Sequence, residues 1–186
     1  RVKKNKSKNL KGIVVALKAN FLIVEIDYKD FKDEFFDQFH KKIRLLCTRR
    51  RKLDYHGLFI DVGDIVFVES VDFKNKRAVI SEVEKRKSFL KRPAVANVTL
   101  VSICISVDEP LFDMEQASRF LLTAECANIK PLVVLTKIDL ITKNDLMLYI
   151  NQLKSWGYDC IPVSIHTSQG IDSLIERFRR TKLTVL

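Results

Sequence analysis

The residues best suited to ligand chemistry follow an apolar run in the second half of the chain. They are Thr136, Lys137, Ile138 and Asp139, directly after the predicted buried strand 131–135. A carboxylate at Asp139 can accept two hydrogen bonds, one from N1–H and one from the exocyclic amine of guanine. Adenine offers neither donor, and an unsatisfied charged group costs on the order of 1–3 kcal/mol or more. The Lys137 stem can cover the purine face, and the Thr136 hydroxyl can brace the loop.

A second segment points to the same chemistry. The predicted strand 159–164 ends in the small residue Ser164, followed by a polar loop that contains Gly170 and by a helix. Such a loop lets backbone N–H groups approach a base edge, so Ser164 and the Ile165 backbone are expected near guanine O6. Taken alone, the Thr136–Asp139 pattern has an alternative interpretation, a helix-capping aspartate beside a surface lysine.

The elements that would position these loops alternate between strands and helices. The predicted strands are 98–107, 131–136 and 159–164, and the predicted helices are 114–128, 144–156 and 171–179. Near-continuous apolar strands are typical of a parallel sheet that is covered on both faces. The pattern predicts an α/β unit with right-handed crossovers, in which ligands bind at the carboxyl ends of the strands.

The first half has a different pattern of short strands without a long helix. The five predicted strands are 12–17, 21–26, 43–48, 65–69 and 77–83. This arrangement predicts a five-stranded barrel of the oligonucleotide/oligosaccharide-binding (OB) type, with residues 27–41 as its long connection. The fold class is therefore β followed by α/β, with the junction at residues 85–93.

Charge separates the two halves as clearly as the strand pattern does. Residues 1–92 hold 24 Lys and Arg against 13 Asp and Glu, a net charge of +11, whereas residues 93–186 hold 9 against 10, a net charge of −1. This asymmetry indicates that the first half meets a polyanion, although a solvated lysine-rich surface would give the same count. The candidates for nucleic-acid contact are Arg49, Arg50, Arg51 and Lys52 for phosphates and Tyr55 for base stacking. The basic clusters 85–87 and 91–92 either add phosphate contacts or form a solvated linker.

Other site classes find little support in the sequence. No apolar run reaches the roughly 18–20 residues needed to cross a bilayer, and no secretory signal opens the chain. The four cysteines are far apart and no histidine stands at metal-ligand spacing, so no metal site is expected within the chain. Cys104 and Cys126 are expected to be buried free thiols.

The two loop motifs together resemble the last two sequence motifs of Ras-type GTPases, T-K-I-D followed one helix later by S-I-H-T-S-Q-G-I-D-S-L. A barrel precedes them in place of a G-x-x-x-x-G-K-[ST] phosphate loop. That order resembles the circularly permuted GTPases of the ribosome small-subunit-dependent GTPase A family. Further stretches that resemble this family are 62–64, 92–98, 118–121 and 124–125, and residues 45–50 resemble its cyanobacterial and plastid branch. The resemblance covers residues 10–186.

The resemblance implies an OB domain over residues 1–88 that binds small-subunit rRNA, and a partial GTPase domain over residues 93–186. It also implies GTP hydrolysis to GDP and phosphate during late maturation of the small (30S) ribosomal subunit. The implied cofactors are Mg²⁺ with the nucleotide and Zn²⁺ in a C-terminal domain, both with ligands beyond Leu186. The implied protein is a monomer without membrane contact, in a bacterial cytoplasm or alternatively in a plastid stroma.

Two features depart from the family pattern. Thr136 stands where the family usually has asparagine, so the bracing of the loop is expected to differ. The chain also stops at Leu186, before the expected phosphate loop and switch regions, so no catalytic residue is expected in it and the 186 residues alone are predicted neither to bind GTP tightly nor to hydrolyse it. The alternatives are a non-enzymatic OB-fold RNA-binding module with a degenerate nucleotide domain, or a DNA-binding OB protein.

Overall fold

The computed structural model describes residues 9–27, 42–55 and 59–186. For Asp54 and Tyr55 it describes the backbone but not the side chains. The chain forms two compact units, one ending at Asn97 and the other beginning at Val98. Most of the connection predicted for residues 27–41 lies outside the described residues. No described helix is long and apolar enough to pass through a membrane.

The first unit is built on five strands that close into a barrel. They are β1 (Leu10–Lys18), β2 (Phe21–Asp27), β3 (Lys42–Arg49), β4 (Ile65–Asp72) and β5 (Arg77–Val83). The strand order is β1-β2-β3-β5-β4, and β4 pairs with β1 to complete the circle. All pairs are antiparallel except β3 with β5. The predicted OB-type barrel is confirmed.

Alternation along each barrel strand creates the core. Every second side chain points inward, because successive Cβ atoms of a strand lie on opposite faces. The fully buried inward residues include Val14, Val24, Leu45, Val66 and Ile80. A short helix, α1 (Arg51–Tyr55), follows β3 and places Leu53 against the same core.

A small hairpin extends the first unit beyond the barrel. Its strands are β6 (Phe89–Lys91) and β7 (Ala94–Ala96), which the strand pattern did not predict. The Asn97 amide donates to the Gly63 carbonyl at 3.0 Å, and the Ala96 N–H donates to the Val62 carbonyl at 2.8 Å. These bonds attach the hairpin to the barrel turn, so the first unit extends a few residues past the predicted junction at 85–93.

A buried ion pair holds the segment between β5 and the hairpin. Asp64 is 0% exposed and accepts hydrogen bonds from the Arg86 guanidinium at 2.8 and 2.7 Å. The same guanidinium bonds to Asp61 at 2.8 Å and lies 4.3 Å from the ring centre of Phe89. The hydrogen bond to Asp64 is the main reason why the pKa of Arg86 is raised. Arg86 therefore serves the fold, whereas the sequence left open a phosphate contact or a solvated linker.

The second unit is a parallel sheet with helices on both faces. Its strands are β8 (Leu100–Ser106), β9 (Pro131–Thr136), β10 (Cys160–Pro162) and β11 (Thr184–Val185), in the order β10-β9-β8-β11. Its helices are α2 (Met114–Cys126), α3 (Lys143–Ser155) and α4 (Ile171–Arg179). The predicted alternation of strand and helix is confirmed, and β11 follows α4 as a short fourth strand.

The two sheet faces carry separate apolar clusters. Ile103, Val133 and Leu135 pack with Leu121 of α2 and Leu153 of α3 on one face. Leu100, Leu132 and Val134 pack with the apolar side of α4 on the other. Side chains of β8, β9 and β10 therefore point alternately toward the two helical layers, as expected for a sheet covered on both sides.

The expectation of buried thiols was wrong for two cysteines, since Cys104 and Cys126 are both exposed. Cys104 lies on the same face of β8 as Leu100, the face toward α4, but it is closer to the carboxyl end of the strand. The apolar side of α4 packs on Leu100 and on β9 and does not cover Cys104. Cys126 ends α2 on the side away from the buried residues Ala117, Leu121 and Ala124. An apolar run fixes which strand is buried, but it does not fix where the covering helix ends.

Candidate guanine-binding site

The predicted recognition motif lies at the carboxyl end of β9, as the topology of a parallel sheet requires. Thr136 is the last residue of β9, and residues Ile138–Leu140 form one turn of 3₁₀ helix. Between them Lys137 adopts a left-handed backbone conformation with φ 61°. This turn leaves Lys137 and Asp139 exposed on either side of the buried Ile138.

Ile138 anchors the motif rather than offering a side chain to a ligand. It packs in the cluster formed by β8, β9, α2 and α3. Its backbone N–H donates to the Val163 carbonyl at 3.4 Å, which ties the motif to the strand that leads into the second loop. A contact between Ile138 and a base would therefore involve its backbone.

The carboxylate of Asp139 is exposed and is favoured in its ionised form. Its pKa lies below its ordinary value of 3.8, first because the Ser164 hydroxyl donates a hydrogen bond to it, with smaller contributions from the positive charges of His166 and Lys137. Lysine and histidine near a carboxylate stabilise its charge, and so does a donor aimed at its oxygen. The result is an accessible, acceptor-only group next to a cation.

Ser164 links the two predicted loops. It is 0% exposed, and its hydroxyl accepts a hydrogen bond from the Thr167 N–H at 3.1 Å. Its own backbone N–H donates to the Gln169 carbonyl at 3.0 Å. The loop 164–169 is therefore closed on itself beside Asp139, with the Ile165 side chain 84% exposed at its rim. The structure thus brings Asp139 and Ser164 together, as the sequence predicted.

The bracing of the motif uses a third loop that sequence reasoning missed. The Lys137 ammonium donates to the Glu109 carbonyl at 2.6 Å, and the Thr136 hydroxyl donates to the Ile105 carbonyl at 3.3 Å. Both acceptors belong to β8 or to the loop directly after it. Because that loop leaves the same carboxyl edge of the sheet, strand order alone could have identified it.

Gly170 is a second residue whose role was not predicted. It precedes α4 with φ +76°, and a Cβ atom at this position would lie 2.0 Å from the Pro162 carbonyl oxygen. No side chain fits there without moving the strand end that carries Ser164. The signal in the sequence is a single glycine between a polar loop and the helix that follows it.

The predicted nucleic-acid residues lie on the barrel, around the end of β3. Arg49, Arg50, Arg51 and Lys52 are all exposed. The Arg50 guanidinium lies 2.9 Å from the Glu69 carboxylate, so part of its charge is already neutralised. Tyr55 ends α1, and its side chain is outside the description. The structure therefore places four cations on one short stretch of surface.

Among the residues that the structure describes, no group of three His, Cys, Asp or Glu side chains is placed to hold a metal ion.

Two solved structures share the architecture of a closed barrel followed by this parallel sheet. YloQ, described as a circularly permuted GTPase, matches with a TM-score of 0.71 over 95% of this chain and 57% of its own, at 24% identity, which shows a common fold. YjeQ from Thermotoga maritima matches with a TM-score of 0.74 over 91% of this chain and 57% of its own, at 30% identity. The fold is that of a circularly permuted GTPase with an OB-type amino-terminal domain.

The model of the RsgA GTPase family matches residues 83–186, more than half of the chain. The small ribosomal subunit biogenesis GTPase RsgA of Prochlorococcus marinus strain NATL2A is 84% identical over 98% of this chain and 59% of its own length. The protein of the same name from Parasynechococcus marenigrum is 46% identical over 94% of this chain and 56% of its own. The chain belongs to the RsgA GTPase family. It spans a little under three fifths of the length of these relatives.

Proposed function

We propose that this chain supplies the guanine-recognition half and the RNA-binding barrel of a GTPase that acts in late maturation of the small ribosomal subunit. The observation that carries the proposal is the exposed Asp139 carboxylate, kept ionised beside Ser164 and Lys137. The relatives are named as small ribosomal subunit biogenesis GTPases, which supports the ribosomal part of the proposal. In this proposal the whole protein hydrolyses GTP to GDP and phosphate.

Each residue of the site has a distinct role in base recognition. The Asp139 carboxylate accepts from guanine N1–H and from the exocyclic amine, and adenine would leave both acceptors without a partner. Lys137, held by the Glu109 carbonyl, lays its stem along the purine face. The Ile165 backbone N–H, on the loop that Ser164 closes, meets guanine O6.

In the same proposal the barrel provides affinity for rRNA. The exposed cations at residues 49–52 contact phosphates and Tyr55 stacks on a base, which gives binding a steep dependence on salt. The protein acts as a monomer in the cytoplasm, or in a plastid stroma if it comes from an organelle. Mg²⁺ and Zn²⁺ are expected on residues outside the described part of the chain.

Nucleotide selectivity of the full-length protein tests the role of Asp139. An Asp139→Asn substitution exchanges an acceptor for a donor, so preference should shift from GTP toward XTP. Asp172→Asn is the matched control, because Asp172 is an exposed carboxylate in the first turn of α4. The proposal fails if Asp139→Asn leaves selectivity unchanged. If the unmodified protein binds no guanine nucleotide at all, a non-enzymatic RNA-binding module is the better description.

Two further measurements address the remaining parts of the proposal. The 186-residue chain alone should show neither GTP turnover nor micromolar GTP binding. Either activity would contradict the proposal that this chain holds only the guanine-recognition half of the GTP site. In the full-length protein, Arg51→Gln with Lys52→Gln should lower the slope of log affinity for the small subunit against log salt by about 1–2. Lys143→Gln with Lys154→Gln, which removes two exposed cations of the second unit, should leave that slope unchanged.

A further inference from the structure

The second unit carries a basic cluster that the guanine site does not use. Four of the nine Lys and Arg residues of the second half of the chain lie within six positions, at Arg177, Arg179, Arg180 and Lys182. The half as a whole has a net charge of −1, so this end of α4 stands out as positive against its surroundings. Cations near a helix C-terminus are favoured by the helix dipole, which accounts for their charge but not for how they are arranged.

The arrangement is a pocket on the flank of α4 that faces the edge strand β10. Ser173, Arg177 and Arg180 follow one another at helical spacing and line the pocket with Glu176 and with Ile161 of β10. Its volume is about 150 Å³. A water molecule occupies about 30 Å³ in the liquid, so the space admits a phosphate group. The pocket shares no residue with the guanine motif or with the loop at Ser164.

Arg177 indicates what kind of ligand the pocket would take. Its Nε is buried and has no hydrogen-bond partner among the described residues. A guanidinium carries five donors and no acceptor, so only an acceptor-rich group can satisfy it. Phosphate oxygens suit a guanidinium especially well, because two parallel N–H groups can bind them at once. The Ser173 hydroxyl adds one more donor on the same wall.

The Glu176 carboxylate already neutralises part of the positive charge of the pocket. Its carboxylate forms an ion pair with Arg180 across one helical turn, and both side chains are mostly exposed. A phosphate that enters the pocket would compete with this carboxylate for the Arg180 guanidinium. The pair therefore limits the affinity of the pocket for anions.

We propose that the pocket at Ser173, Arg177 and Arg180 binds a backbone phosphate of the small-subunit RNA. This proposal rests on the proposed ribosomal function and adds a contact from the GTPase unit to those of the barrel. RNA is the favoured source of the phosphate because the pocket is open along a sheet edge and because the neighbouring cations extend the positive surface beyond it.

The test measures binding of full-length variants to small ribosomal subunits over a series of salt concentrations. Arg177→Gln with Arg180→Gln should weaken binding about tenfold at low salt and reduce the salt slope by about 1, close to the value for one lost phosphate contact. Arg180→Gln alone, at an exposed position, should show part of this loss without a risk to folding. Glu176→Gln should instead strengthen binding by up to about fivefold, because it removes the competing ion pair.

Arg119→Gln is the matched control, since Arg119 pairs with Glu115 at the same helical spacing on α2. It should leave binding and slope unchanged, and unchanged guanine-nucleotide affinity should show that all variants are folded. Salt slopes equal to wild type in the arginine variants, or weaker binding by Glu176→Gln, would overturn the proposal. The barrel variants Arg51→Gln with Lys52→Gln distinguish the two proposals. If they lower the salt slope while the pocket variants do not, only the pocket proposal fails, and if the unmodified protein does not bind small subunits, the ribosomal function itself fails. A shift of the Arg177 Nε–H resonance with inorganic phosphate, without any loss of subunit binding in the variants, would assign the pocket to free phosphate instead.

Discussion

Replacement of Arg86 by methionine should destabilise the first unit strongly. The substitution preserves most of the apolar stem but removes the only charge bonded to the buried Asp64 carboxylate among the described residues. Asp64 would retain one hydrogen bond, from the Asp61 N–H at 2.8 Å. Loss of one partner from a buried ion pair costs about 3–5 kcal/mol, because an uncompensated charge remains inside.

The expected size lies at the lower end of that range. The Arg86 side chain is 27% exposed, so water screens part of the interaction, and about 3 kcal/mol is the appropriate estimate. For a unit of this size, each kcal/mol lowers the melting temperature by about 4–8 °C, which predicts a drop of about 12–24 °C. Stabilities of single domains are about 5–15 kcal/mol, so the loss is a large part of the total.

Thermal and urea unfolding followed by circular dichroism measure this loss. Arg44→Met is the matched control, because Arg44 is 70% exposed and pairs with Glu25 at 3.1 Å on the barrel surface. An exposed pair contributes at most about 1 kcal/mol. Adding Asp64→Asn to Arg86→Met should recover part of the stability, since no buried charge then lacks a partner. If Arg86→Met unfolds within about 3 °C of Arg44→Met, the ion pair does not stabilise the fold as argued.

Three other outcomes are expected from the site and the core. Gly170→Ala should weaken guanine-nucleotide binding of the full-length protein at least about tenfold, because the new Cβ would meet the Pro162 carbonyl 2.0 Å away, and unchanged binding by calorimetry would contradict this. Iodoacetamide should modify Cys104 quickly and Cys47 only on unfolding, as mass spectrometry of the alkylated peptides would show, because burial raises the pKa of the Cys47 thiol to about 11. That raised pKa favours the neutral thiol in the folded state, so its contribution to stability is complete below pH 9 and is lost as the pH rises toward 11. Because the pKa of Asp139 is lowered below 3.8, the affinity of the full-length protein for guanosine, which carries no phosphate to titrate, should stay constant from pH 8 to pH 5, and an affinity that halves by pH 5 would contradict the ionised state inferred for Asp139.

Much of the fold could be predicted from local pattern. The bounds of β9 and α4 agree with the predicted ones at both ends, because a continuous apolar run and a strong amphipathic period are properties of adjacent residues. The barrel strands were predicted to within a few residues for the same reason. The relation between the Asp139 and Ser164 loops followed from one topological rule, that ligand loops gather at the carboxyl edge of a parallel sheet.

The missed features depend on contacts between distant residues. The hairpin β6–β7 is only three residues per strand, and the barrel turn at Val62 and Gly63 holds it in place, which no local pattern reveals. The contact of Lys137 with Glu109 joins positions 28 residues apart. Arg86 appeared as one of three adjacent basic residues, and only its distance to Asp64 distinguishes it from its neighbours.

The closure of the barrel has a consequence for the order of folding. Pairing of β1 with β4 brings Leu10 opposite Val68, and β3 meets β5 across the intervening α1 and β4. The circle therefore cannot close before β5 is available, and it should form late and in one cooperative step. In the second unit β8 pairs with β9 and β9 pairs with β10, so these three strands can join the sheet in the order in which they are synthesised, and only β11 returns to pair with β8. During synthesis the barrel should thus wait for its last strand, while the guanine-binding edge assembles stepwise behind it.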